Sequence, residues 1–121
     1  MPPGFLKLEV VYNLHRQKGQ DLLIVVESFL SVFWLYQARV KNVVALMGSV
    51  LGDKQEELIV TYLGPQGQAI LLFDGDEDGQ VCTENCLARL GAKLFVKALD
   101  IRPYARKPHQ LEPELIKKLL S

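Results

Sequence analysis

The stretch Ile70–Gln80 reads I-L-L-F-D-G-D-E-D-G-Q, four apolar residues running straight into Asp74, Asp76 and Asp78, with Glu77 between the last two. An apolar run of this length bounded by glycine predicts a buried strand. The acids then fall at its carboxyl end, where open α/β sheets keep their ligand sites. Carboxylates this close repel one another, so some must take up protons or a cation must sit among them. An oxygen-rich set favours hard cations such as magnesium or calcium. The stretch therefore predicts a divalent-metal site on a strand tip.

Upstream of it, L-L-I-V-V (Leu22–Val26) is a continuous apolar run, the pattern of a strand covered on both faces. It ends in Glu27-Ser28 and is followed by a broadly apolar helix over Phe29–Gln37. N-V-V-A-L (Asn42–Leu46) predicts a second buried strand, closed by Gly48-Ser49. Asp53 is placed to cap a helix reaching about Tyr62, with Gln55, Leu58, Ile59, Tyr62 and Leu63 inward. Gly64–Gly67 is a turn, and Gln68–Phe73 the third strand. Before all of these, Phe5–Tyr12 predicts a short strand or irregular lead-in, and His15–Asp21 a polar turn.

Downstream, Glu77–Leu90 predicts a helix with Cys82, Cys86, Leu87 and Leu90 inward, stopped by Gly91. Lys93–Ala98 predicts a fourth strand, its lysines marking an edge. Asp100–His109 is a basic, proline-marked loop, and Glu112–Leu120 a terminal helix with Pro113 in its first turn. Strands alternating with helices define an α/β fold with a central parallel sheet of about four strands flanked by helices, Rossmann-like in arrangement. All strand tips then point one way. Glu27 and the Asp74/Asp76 pair can meet at one edge despite their separation in sequence.

Composition narrows the function. The 121 residues fit one domain with a real core, and 49% apolar with 23% charged residues is ordinary globular usage. Fourteen basic residues balance fourteen acidic ones, so no global charge draws the chain to nucleic acid, and such binding must come from a local patch. No segment has the form of a signal peptide or an apolar membrane span, so a cytoplasmic location without membrane contact is expected. Cys82 and Cys86 lie four apart on the inward helix face with no second Cys or His pair to complete a metal site, and read as core.

Three readings compete for D-G-D-E-D-G. As an EF-hand calcium loop it puts Gly79 at the sharp turn and Val81 at the apolar position, but Asn85 stands where a bidentate glutamate is required and the approach is a strand. A D-x-D phosphatase of the haloacid-dehalogenase type wants its aspartate nucleophile on an early strand. The third reading covers more of the chain. V-V-E-S-F-L-S-V-F (Val25–Phe33), V-A-L-M-G-S (Val44–Ser49) and F-D-G-D-E-D-G-Q (Phe73–Gln80), in that order, resemble a Toprim domain. That domain is the catalytic module of bacterial DNA primases, type IA and type II topoisomerases and certain nucleases. Y-N-L-H-R (Tyr12–Arg16), K-P-H-Q-L (Lys107–Leu111) and E-L-I-K-K-L-L (Glu114–Leu120) are similar to the bacterial or phage-type primase form. The resemblance spans residues 12–120 of a single domain, 1–121, with 1–11 as lead-in.

The resemblance implies a magnesium-dependent nucleotidyl- or phosphodiester-transfer module of DNA-primase type, with manganese as a substitute cation. DNA or RNA, nucleotides and further primase or replication domains are its implied partners. Glu27 matches the family's glutamate, general acid/base or metal ligand; Asp74 and Asp76 match the metal-binding D-x-D. Asp78 is an outer-shell candidate. Ser28 and Ser31 stand where the family has glycine and aspartate, and His109 where it commonly has an acid. Little primer synthesis is expected from these residues alone. The alternatives are a small Toprim nuclease, a degenerate non-catalytic Toprim domain binding nucleic acid or a partner protein, and a calcium-binding module.

Plainer roles compete for the same residues. Asp76 or Asp78 could cap the helix beginning near Glu77. Arg102, Arg106 and Lys107 form a basic cluster near the sheet's acidic edge and are candidate phosphate contacts, although such clusters are commonly solvated loops. Gly48-x-x-x-Gly52-Asp53-Lys54 is not a P-loop, since its spacing is wrong and no Ser/Thr follows the lysine. Phe33, Trp34 and Tyr36 could offer a base-stacking platform, but on a helix that covers a sheet they read as core.

Overall fold

The computed structural model describes residues 11–48 and 50–120. The lead-in anticipated over Phe5–Tyr12 lies outside them except at its end, where Tyr12 exchanges backbone hydrogen bonds of 2.8 and 3.1 Å with Ala45 in an antiparallel bridge. The elements run β1 (Leu22–Val26), α1 (Phe29–Gln37), β2 (Val43–Ala45), α2 (Asp53–Leu63), β3 (Gln68–Leu71), α3 (Glu77–Leu90), β4 (Phe95–Ala98) and α4 (Pro113–Leu120). Single 3-10 turns occur at Leu14–Arg16 and Pro108–Gln110.

The four strands pair in parallel in the order β2-β1-β3-β4. The chain thus leaves β1 toward one side, then crosses over to build β3 and β4 on the other. The switch falls between β1 and β3, and a crevice outside the carboxyl ends of strands forms at such a point. Glu27 follows β1, and Asp74 follows β3 three residues beyond its end, after Leu72 N–H has bonded the Val25 carbonyl at 2.9 Å. The topology alone therefore carries the acids to the switch.

The buried residues of β1, β2 and β3 alternate between two cores, while β4 is largely exposed. Leu23 and Val25 of β1, with Val44, Ala69 and Leu71, pack against Ile59 of α2 and Cys82, Cys86 and Leu90 of α3. Ile24 and Val26, with Val43, Ala45 and Ile70, pack on the opposite face against Val32 and Leu35 of α1, Leu111, and Ile116 of α4. Burial on both faces is why β1 reads as an unbroken apolar run rather than an alternation. Both cysteines are fully buried and unpaired, as core residues.

Several expectations need correction. β2, β3 and β4 are shorter than their apolar runs, because pairing ends before apolarity does; Lys93 falls in the turn before β4. Gly52, not Asp53, precedes the first turn of α2, its N–H donating to Gln55 Oε1 at 2.9 Å. Gly91 closes α3 in right-handed backbone (φ −63°) rather than the left-handed form usual for a glycine stop. Leu87 and Phe33, assigned inward, are exposed, while Trp34 and Tyr36 are half-buried. For Phe33 the reason is that α1, apolar nearly all round, has no stripe from which its phase can be read. On α3 the inward face is filled by Cys82, Cys86 and Leu90, and Leu87 falls beside it.

A charged knot fastens α2 to α3. Glu56, buried on α2, accepts from Arg89 Nε and Lys93 Nζ, both at 2.6 Å, while Arg89 also bonds the Leu51 carbonyl and pairs with Asp53. No described helix is long and apolar enough to cross a membrane.

Candidate metal centre

Glu27 is 8% exposed, and its Oε1 accepts the backbone N–H of Asp74 at 3.0 Å. This bond ties the tip of β1 to the tip of β3. A buried carboxylate is tolerable only when it is hydrogen-bonded or paired, and the switch-point amide supplies that partner. Asp76 is the N-cap of α3: its Oδ1 accepts the N–H of Gly79 at 2.8 Å. That hydrogen bond, then Lys107 and Arg106 close by, hold its carboxyl below the usual aspartate range against the opposing effect of burial.

Two glycines set the spacing. A Cβ on Gly79 would lie 1.8 Å from the Asp74 carbonyl oxygen, so the first turn of α3 can press on the strand tip only with no side chain there. A Cβ on Gly75 would meet the Ala105 carbonyl at 2.9 Å. There the basic loop lies over the D-G-D turn, with Gly75 N–H donating to the Arg106 carbonyl at 2.7 Å.

The acids face a lysine. Lys107 Nζ lies 2.5 Å from Asp74 Oδ2 and 3.6 Å from Asp76 Oδ2, and Arg106 Nε approaches Asp76 at 4.0 Å. The pairing raises the lysine's proton affinity, Asp74 being the largest cause. Glu27, Asp74, Asp76 and Asp78 line one open cavity of about 490 Å³, together with Lys107, His109 and an apolar wall of Phe29, Leu30 and Met47. Asp78 is exposed on the first turn of α3. Arg102 is drawn away into a paired arrangement with Asp100, at 2.8 and 2.9 Å, and with Arg106 borders a neighbouring groove. The basic trio is therefore divided, with only Lys107 and Arg106 turned to the acids.

Among the described residues, no three His, Cys, Asp or Glu side chains are arranged to hold a metal ion. The donor chemistry nonetheless fits a hard cation. Asp74 and Asp76 direct oxygens at one positive centre, and magnesium is typically held by one or two carboxylates with water and phosphate completing its shell. The buried Nδ1 of His109, on the same cavity, finds no hydrogen-bond partner among the described residues. Sequence reasoning missed the Lys107 bridge, the His109 nitrogen and the apolar wall. The K-P-H-Q-L resemblance and the basic cluster Arg102, Arg106 and Lys107 were the signals that the tail returns to this edge.

A parallel α/β sheet with an acidic rim at its switch point defines a class of domain that works at the carboxyl ends of its strands. The profile of the Toprim domain matches residues 21–102, and the chain belongs to that family. Within it, the resemblance is to DNA primases: the chain is 32% identical over 117 residues to the DNA primase of Staphylococcus epidermidis, covering 87% of this chain and 19% of that protein. It thus spans about a fifth of that relative's length. The fold superposes on the Aquifex aeolicus primase (zinc-binding and RNA polymerase domains) with TM-score 0.79 and 22% identity, over 99% of this chain and 31% of that one. It also superposes on a primase catalytic domain bound to single-stranded DNA, with TM-score 0.75 and 20% identity, over 96% and 39% of the two chains.

Proposed function

We propose that this Toprim domain is the metal-binding phosphoryl-transfer module of a primase-type protein, acting on DNA or RNA and nucleotides with further domains supplying template grip. The observation that carries the reading is the Glu27–Asp74 hydrogen bond at the switch point, with Asp76 beside it. Magnesium, or manganese in its place, would be held by Asp74 and Asp76 and would neutralise charge on the transferring phosphoryl group. Glu27, fixed on the Asp74 amide, is assigned general acid/base work, a role that needs a carboxylate within hydrogen-bond reach of the reacting oxygen. Asp78, on the rim, reaches the site through water. Arg106 is placed for a substrate phosphate, while Arg102 must first leave Asp100. The related catalytic domain bound to single-stranded DNA supports nucleic acid as the partner.

The test is a segment exchange. This chain replaces the Toprim segment of the Staphylococcus epidermidis primase, and magnesium-dependent primer synthesis is measured. Synthesis that falls at least about 100-fold on Glu27→Gln, a loss typical of a general acid/base, is the expected result. No synthesis from a folded chimaera overturns it. A nuclease would instead show magnesium-dependent nicking by the 121 residues that vanishes in Asp74→Asn. A second reading, a degenerate domain that binds without catalysis, is favoured by Lys107 standing among the acids and by Ser28 and Ser31, whose hydroxyls lie 3.5 Å apart.

A further inference from the structure

We propose that Lys107 is a built-in competitor for the divalent cation: its ammonium satisfies Asp74 and Asp76, and a metal enters by displacing it. The inference deepens the proposed function and rests on its metal reading. Lys107 Nζ reaches Oδ2 of both aspartates, at 2.5 and 3.6 Å, and the two side chains are only 14% and 18% exposed. A surface pair of this kind is ordinarily worth little. Here the acids are largely removed from water, and an unpaired carboxylate in such a place is unfavourable.

The contact is positioned by backbone rather than by the lysine's own length. The Arg106 carbonyl accepts from Gly75 N–H at 2.7 Å, in the middle of the D-G-D turn. On the other side, the N–H groups of Arg106 and Lys107 both donate to Gln110 Oε1, at 3.1 and 3.0 Å. Held at both ends, this segment delivers its ammonium to the oxygens that a cation would use. Two positive centres cannot share those oxygens without strong repulsion. The lysine side chain is 40% exposed, so its head can swing into water when a metal arrives. Once released, it lies beside the site with Arg106, placed to meet the phosphate that the metal carries. Lys107 is thus a positioning residue that sets how tightly the site takes a metal.

The test titrates manganese, as a spectroscopic divalent probe, into the 121-residue chain, Lys107→Met and Asp74→Asn, reading bound metal by electron paramagnetic resonance. Thermal melting confirms that each variant is folded. Lys107→Met should bind manganese at least tenfold tighter than the parent, and Asp74→Asn should bind far more weakly. Equal affinity in parent and Lys107→Met overturns the competition while leaving the metal reading intact; weaker binding by Lys107→Met overturns it too. If neither binds, the metal reading fails and this proposal falls with it. A second readout needs no variant: the side-chain methylene signals of Lys107 should shift on magnesium titration with the same midpoint as the Gly75 amide. Lysine signals unmoved at saturating metal contradict the proposal.

Discussion

The carboxylate of Glu27, one residue past β1, accepts the backbone N–H of Asp74 at 3.0 Å across 47 positions of sequence. One side chain thereby fixes the separation of the two central strand tips. A substitution that keeps an acceptor should preserve the fold and remove the chemistry. Glu27→Gln should unfold within about 1 kcal/mol of the parent, whereas Glu27→Ala, leaving a poorly solvated N–H unpaired, should cost about 1–3 kcal/mol. Urea denaturation measures both; a Gln variant as unstable as the Ala one would contradict the structural role.

Gly79 should be intolerant of even a methyl group. Its absent Cβ would lie 1.8 Å from the Asp74 carbonyl, and backbone on both sides is fixed by strand and helix. Gly79→Ala should cost more than about 2 kcal/mol by overpacking. Gly48→Ala, with no described residue beyond its chain neighbours within 4 Å of the new carbon, should stay within about 0.5 kcal/mol. Comparable melting temperatures for the two variants would refute the close approach at the acidic turn.

Glu56 should make stability pH-dependent on the acid side. The hydrogen bond from Lys93, then that from Arg89, hold its carboxyl below the ordinary value of 4.5. A depressed folded value means the stabilisation is present above the unfolded value and lost as pH falls through the folded one. Glu56→Gln should therefore be less stable by about 2 kcal/mol at pH 7, the scale of charged hydrogen bonds. That difference should shrink toward pH 3. A gap that does not change with pH would show that the knot contributes through shape alone.

Trp34 ties α1 to the tail that carries Lys107, its Nε1–H donating to the Leu111 carbonyl at 2.6 Å. Trp34→Phe removes this donor and should cost about 1 kcal/mol. Amide exchange in α4 should quicken more than exchange in β1, since the tail loses its anchor while the sheet keeps its ladder. Uniform acceleration across both would place the effect elsewhere.

Where periodicity and punctuation agree, the sequence was legible. β1, α1 and α3 begin and end where Leu22–Val26, Phe29–Gln37 and Glu77–Leu90 were expected, because each apolar run is bounded by a polar or capping residue. The lysine-marked fourth strand is indeed the sheet edge. The parallel order also brought Glu27 to Asp74, since strands joined by helices share a direction. Contacts between distant side chains were not legible. Nothing in K-P-H-Q-L says that Lys107 bridges two aspartates rather than waiting for phosphate, and a glutamate such as Glu56 reads as solvated until two cations are seen to bury it. Phe33 read as core because apolarity is taken for burial. In the fold, Phe29 and Phe33 make an edge-to-face pair, ring centres 5.7 Å apart, at the surface beside the site.

A cation held by Asp74 and Asp76 should also lie close to Glu27, at the tips of both central strands. Manganese added in substoichiometric amounts broadens nuclear resonances according to their distance from the ion. The amides of Glu27 and Ser28 should broaden together with those of Asp74, Gly75 and Asp76, with a common midpoint that disappears in Asp74→Asn. Broadening confined to one strand tip, or spread over exposed acids such as Glu57 and Glu114 with the tips untouched, would contradict it.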